Sequence, residues 1–267
     1  DLDYLKSFKK NNINSNIFVG GIPMELNESI KFNQNKVDRK KYLLFIAEQI
    51  RPTLMKQMGL ESLPTLDIIF TAEDEVLNGF AVPANYTIIW VDQNDAALWT
   101  GDKKWLRTVL AHELQHLVYF NTVKGPWWLP EPMNSLAHGT PAWIVEGIAE
   151  YFTEEWRPFR YELSHRYHVL RNTVHKIQDP HNDGYSKSLY LADRFGDSTI
   201  SKILNHRNKL KFLDFKESFK KHTGITLKQF NEDWRRQMNT FYFSQRSQKE
   251  RLEDAGAIRK LPIKRVL

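Results

Sequence analysis

Apolar and polar positions along the chain follow two periods, and the change between them falls near residue 100. Before it, short runs read as strands: Ser15 to Val19, the mostly apolar Leu66 to Phe70, and part of Phe80 to Trp90, which is rich in branched and aromatic residues. Gly20-Gly21 and Asn78-Gly79 punctuate them as turns. Between the first two strands, Val37 to Met58 has helical spacing, with Tyr42, Leu43, Phe45, Ile46 and Ile50 on one face. Pro52 is expected to kink or divide that helix, and Gly59 to cap it.

After residue 100 the helical period dominates. Trp105 to Phe120 contains no proline or glycine and repeats apolar residues at Leu106, Val109, Leu110, Leu117 and Phe120, with Asp102 placed as N-cap. Thr140 and Pro141 open a second helix reaching Phe152. Tyr161 to Lys176 predicts a third. From Ser198 to Arg235 the pattern gives three more, with Gly224 ending one and Thr226 with Gln229 forming a capping box for the next. The predicted architecture is α+β: a small N-terminal mixed sheet followed by a mostly helical lobe. Residues 1–100 form the strand and helix part, 101–242 the helical lobe, and 243–267 a charged tail that packs back or begins a following domain.

Composition narrows the function classes. A chain of 267 residues is long enough for one large domain or two subdomains around a cleft. No apolar run approaches a membrane span. The absence of cysteine removes disulfides and thiolate metal ligands. With Asp1 in place of Met, the expectation is a processed or trimmed chain, and the lack of cysteine fits export to the periplasm, surface or medium, the favoured expectation, as well as a cytoplasmic protein. The net charge of +6 gathers after Lys202 among interleaved acids, the pattern of solvated helix faces rather than of a nucleic-acid interface. An anionic membrane surface is the other acidic partner that such a charge admits.

The candidate chemistry lies in H-E-L-Q-H, His112 to His116. Two histidines four apart on a helix project from one face and can close on one zinc ion, with Glu113 placed between them to activate water. A catalytic zinc takes three protein ligands. Glu146 in W-I-V-E-G-I-A-E-Y completes a His-His-Glu set, since its neighbours are Trp, Ile, Val, Gly, Ile and Ala and do not suit a solvated glutamate. Gly147 beside it leaves room for another backbone. Glu150, one turn further on, is the nearest carboxylate that could hold a ligand histidine's second ring N–H.

H-E-L-Q-H followed by W-I-V-E-G-I-A-E-Y resembles the gluzincin metallopeptidases, and most of all the bacterial peptidase MA-like families. The resemblance extends from about Asn16 to about Phe241, and the two motifs are jointly specific. It implies a zincin-type domain holding one Zn2+ per chain on His112, His116 and Glu146, with Glu113 as general base and a peptide or protein as substrate. It further implies an edge strand beside the zinc helix that binds substrate backbone, for which Thr87, Ile88, Ile89 and Trp90 are the candidates. Aminopeptidase N-like relatives carry G-x-M-E-N in this region. Here Gly79 to Asn85 reads G-F-A-V-P-A-N, which has no amine-binding glutamate and favours an endopeptidase. Those relatives stabilise the oxyanion with a tyrosine; Gly184 and Tyr190-Leu191 laid on their pattern put His181 at its place. Thermolysin-like relatives use a histidine for that task, and Tyr185 is the second candidate. The competing reading is a catalytically silent zincin-like domain that binds a protein or peptide.

Overall fold

The computed structural model describes residues 15–19, 22–24, 34–71, 79–90, 102–125, 128, 139–153, 159–177 and 179–248. Among them, β1 (Ser15–Val19), β2 (Ile22–Met24), β3 (Leu66–Thr71), β4 (Gly79–Val82) and β5 (Tyr86–Trp90) form one sheet in the order β2-β1-β3-β5-β4. The three central strands are parallel, and an antiparallel partner closes each side. The helices are α1 (Gln34–Met58), α2 (Asp102–Val123), α3 (Ala142–Thr153), α4 (Phe159–Leu170), α5 (Pro180–Phe195), α6 (Ser198–Asn205), α7 (Phe215–Thr223) and α8 (Leu227–Ser247). The fold is thus mixed α+β and mostly helical, with a small sheet at the N-terminal side.

Helix α2 is the hub. It packs against α1, β4 and β5 on one side and α3 on the other. Its apolar residues Trp105, Leu106, Leu110, Leu114, Leu117, Val118 and Val123 all lie in the core, so it is buried around most of its circumference. A polar residue on such a helix needs a partner or a task. Among the described elements, helices α3 and α5 make the most intimate contact. A Cβ on Gly147 would stand 2.3 Å from the Gly184 carbonyl oxygen, and one on Gly184 would stand 2.2 Å from that of Trp143. Both positions therefore demand glycine, and the two backbones touch.

Several expectations change. Thr87 to Trp90 is not an edge strand: β5 pairs with β3 on one side and β4 on the other, and Thr87 and Ile89 are 0% exposed. The run Phe80 to Trp90 folds as a hairpin, because Pro83, Ala84 and Asn85 turn the chain with Asn85 in the left-handed region at φ 64. The edge beside α2 is consequently β4. Pro52 neither divides nor ends α1, which runs unbroken to Met58. Leu54 and Met58 beyond the proline are fully packed in the core, which offsets the one backbone bond the proline forfeits. The third predicted helix stops at Leu170, Asn172 turns left-handed at φ 55, and a single 3-10 turn, Val174–Lys176, follows. His181, placed by the resemblance at the oxyanion position, lies in the first turn of α5. The boundary placed after residue 242 falls inside α8, which continues to Ser247. Asp1 to Asn14, Trp127, His138 and the tail after Gln248 lie outside the described residues.

Candidate metal centre

His112 and His116 sit one turn apart on α2 and share a face, as their spacing requires. Their Nε2 atoms are 3.0 Å apart. Glu146, from the second turn of α3, brings Oε2 to 3.4 Å from His112 Nε2 and 3.3 Å from His116 Nε2. Three lone-pair atoms from two helices therefore converge on one point. Donors bonded at about 2.1 Å around a tetrahedral metal ion stand about 3.4 Å from each other, so this triangle has the size of one coordination face. Burial pushes the His112 imidazole down to about 4, which keeps it neutral and its lone pair free. Burial alone would raise the Glu146 carboxyl. The hydrogen bonds with His112 and His116 outweigh it and hold the group well below the usual carboxylate range. Two imidazoles facing an ionised carboxylate are a donor set that can hold a metal ion.

Glu113 adjoins this triangle without joining it. It is buried on the β4 side of α2, where the Ala81 backbone N–H donates to its carboxylate. Gly79 on the same strand is in such close contact that a Cβ would lie 2.7 Å from Glu113 Oε1. Burial pushes the Glu113 carboxyl up to about 7, with the nearby Glu146 charge adding to the rise and His116 opposing it. A carboxyl that ionises near neutrality is suited to accept and return a proton.

Glu150 and His181 extend the cluster. Glu150 is fully buried on α3, one turn after Glu146. The sequence placed it behind a ligand histidine, and its Oε1 does approach His112 Nδ1, at 3.8 Å. Its closer partner is His181 Nδ1, at 3.0 Å, and His181 Nδ1 also lies 3.4 Å from Glu146 Oε2. His181 occupies the first turn of α5, where Asp179 caps the helix by accepting from the His181 backbone N–H. The Gly147–Gly184 contact sets this arrangement, because it locks α5 against the helix that carries both glutamates. His181 keeps 44% of its side chain exposed and so lines the open side of the cluster. Tyr185, the other oxyanion candidate, is buried one turn along α5, and its phenol acts electrostatically on Tyr151.

Sequence reasoning missed Ala81 and the glutamate clearance at Gly79. Both follow from the β4–β5 hairpin, whose one signal was the Pro83-Ala84-Asn85 turn. Asn121 near the end of α2 fixes that turn by donating from Nδ2 to Asn85 Oδ1 at 2.8 Å.

Compared with known proteins, the chain matches no protein-family model and no curated sequence.

Proposed function

We propose that this protein is a zinc-dependent peptidase of gluzincin type, cutting peptide bonds as an endopeptidase. The observation that carries the reading is the 3.0 to 3.4 Å triangle of His112, His116 and Glu146, with the buried Glu113 carboxyl beside it. Two imidazoles and one carboxylate are a zinc donor set with a position left for reactant. A zinc ion held there supplies a Lewis acid that polarises the scissile carbonyl and acidifies water.

The chain's own residues account for the rest. Glu113 removes the proton from the attacking water as oxygen bonds to the carbonyl carbon. It then returns that proton to the amide nitrogen as the C–N bond breaks, leaving a carboxylate and an amine. His181 faces the developing oxyanion. Glu150 orients its ring through Nδ1, 3.0 Å from Glu150 Oε1. In this reading β4, the outermost described strand next to β5, would receive substrate backbone beside Glu113.

The test pairs metal content with turnover on N-terminally blocked peptides. Glu113→Gln is expected to retain zinc while turnover falls by about a hundredfold or more. Glu146→Gln and His116→Ala are expected to lose zinc first, because a neutral amide or a methyl group is a poorer ligand. Near-normal turnover in Glu113→Gln sinks the mechanism. Zinc retention in all three variants removes the proposed ligand set.

A further inference from the structure

From Lys202 to Lys228 the chain carries seven lysines and Arg207 against only Asp214 and Glu217, and every one of those lysines is exposed. The turn between α6 and α7 lies within this stretch. Asn208 cages it: its Oδ1 accepts from the backbone N–H groups of Leu210 and Phe212, at 2.9 and 3.0 Å, and its own N–H donates to the Phe212 carbonyl. Lys211 is forced into the left-handed region at φ 65, an arrangement a lysine adopts only where the surroundings impose it. Arg207 anchors the turn from below, donating to the carbonyls of Leu204, His206 and, across to the end of α2, Thr122. The effect of this rigid, strained turn is to hold Leu210 outward at 72% exposure between Lys209 and Lys211.

Two further features share this end of the molecule. The Trp128 ring stands edge-on to Phe212 at 6.1 Å and is 59% exposed. His206 packs on His222, which lies within electrostatic reach of Lys202 and Lys221. An apolar tip, an exposed indole and a surrounding field of lysines thus lie together.

We propose that the Asn208–Phe212 turn, with Leu210 at its tip and the lysines around it, docks this protein on an anionic lipid bilayer surface. Lysines hold to the headgroup charge, the leucine enters the acyl boundary, and tryptophan favours the interface between them. A nucleic acid would use the lysines and could stack on Trp128, but it offers nothing apolar to receive the projecting Leu210 at the tip. The inference is independent of the peptidase reading, since it concerns binding alone.

The test is co-sedimentation of the full chain with phosphatidylcholine vesicles, with and without about 30 mol % phosphatidylglycerol, at two salt concentrations. Binding to the anionic vesicles is expected to exceed binding to the neutral ones by about tenfold or more and to weaken with salt. Leu210→Ser, at a site exposed enough to leave folding unchanged, is expected to weaken it by roughly tenfold. Lys209→Glu with Lys211→Glu is expected to abolish the preference for anionic lipid. Equal or absent binding to the two vesicle types overturns the proposal. So does unchanged binding by Leu210→Ser, because the patch would then be a general polyanion site.

Discussion

Gly79 on β4 and Glu113 on α2 are in direct contact, and the contact exists only because Gly79 lacks a side chain. A Cβ there would lie 2.7 Å from both Cγ and Oε1 of Glu113. The atoms met are the far end of a flexible side chain, so in Gly79→Ala the carboxylate moves and the fold stays. A shift of about 1 Å in a reacting group can cost up to a hundredfold in rate. The expected outcome is turnover reduced tenfold or more, with zinc content unchanged and a urea midpoint close to that of the parent. In a Glu113→Asp background the shorter side chain leaves space, and the same substitution should cost little. Equal losses in both backgrounds would mean that the alanine acts on the strand and not on the base.

Glu113 also sets a pH dependence of stability in the metal-free protein. Its carboxyl ionises at about 7 when folded, against an ordinary value of 4.5. Between those values the folded state binds more protons than the unfolded one, so unfolding free energy falls as pH rises from about 4.5 to about 7 and levels off above. The full spread corresponds to about 3 kcal/mol as an upper bound. Chelated Glu113→Gln should therefore be more stable than chelated parent at pH 8 and equal to it near pH 4. Urea denaturation at the two pH values checks this; a constant difference between the proteins would contradict it.

The convergence of His112, His116 and Glu146 was legible in the sequence because it depends on local periodicity. Histidines four apart on an uninterrupted helix must share a face, and a glutamate among apolar neighbours must point somewhere specific. Glu150 was half legible: its helical phase put it near the cluster, but its closer approach to His181 than to His112 depends on where α5 crosses α3. That crossing is set by Gly147 and Gly184, which are 37 positions apart, and only the first announced a close approach. The sheet edge was misread for a related reason. The strand character of Thr87 to Trp90 was plain, yet which neighbours flank a strand is decided by long-range pairing. The three-residue turn that folds β4 back on β5, Pro83-Ala84-Asn85, lies between two strand-forming runs that read as one.

Substrate end-groups provide another test. Gly79 to Asn85 carries no carboxylate to hold a free amino group, and the described residues of that strand beside the cluster, Gly79 and Ala81, offer only backbone. Acetylating the N-terminus of a cleaved peptide should leave kcat/KM within about threefold, because no amine-to-carboxylate contact worth a kcal/mol or so is lost. Cleavage confined to free amino ends would show that another acid does this work.

The helix that carries His181 also holds a buried ion pair. Asp183 and Lys187 form it, with Nζ donating to Oδ2 at 2.6 Å. The ammonium also lies 4.8 Å from the Trp234 ring centre and 5.4 Å from that of Trp143, so two aromatic faces help to neutralise it. Burial raises the Asp183 carboxyl above its ordinary value even though Lys187 acts to lower it. Lys187→Met keeps the volume but strands the carboxylate, and losing one partner of a buried pair costs about 3–5 kcal/mol. Without Lys187 the Asp183 pKa rises further, so the folded state takes up a proton as pH falls and part of the loss is recovered in acid. The variant should thus be markedly destabilised at pH 8 and less so at pH 5, and Asp183→Asn combined with Lys187→Met should recover stability at pH 8. Urea titrations of the single and double variants at both pH values decide it: a pH-independent loss that the double variant does not relieve would show that Lys187 contributes by packing against the tryptophans alone.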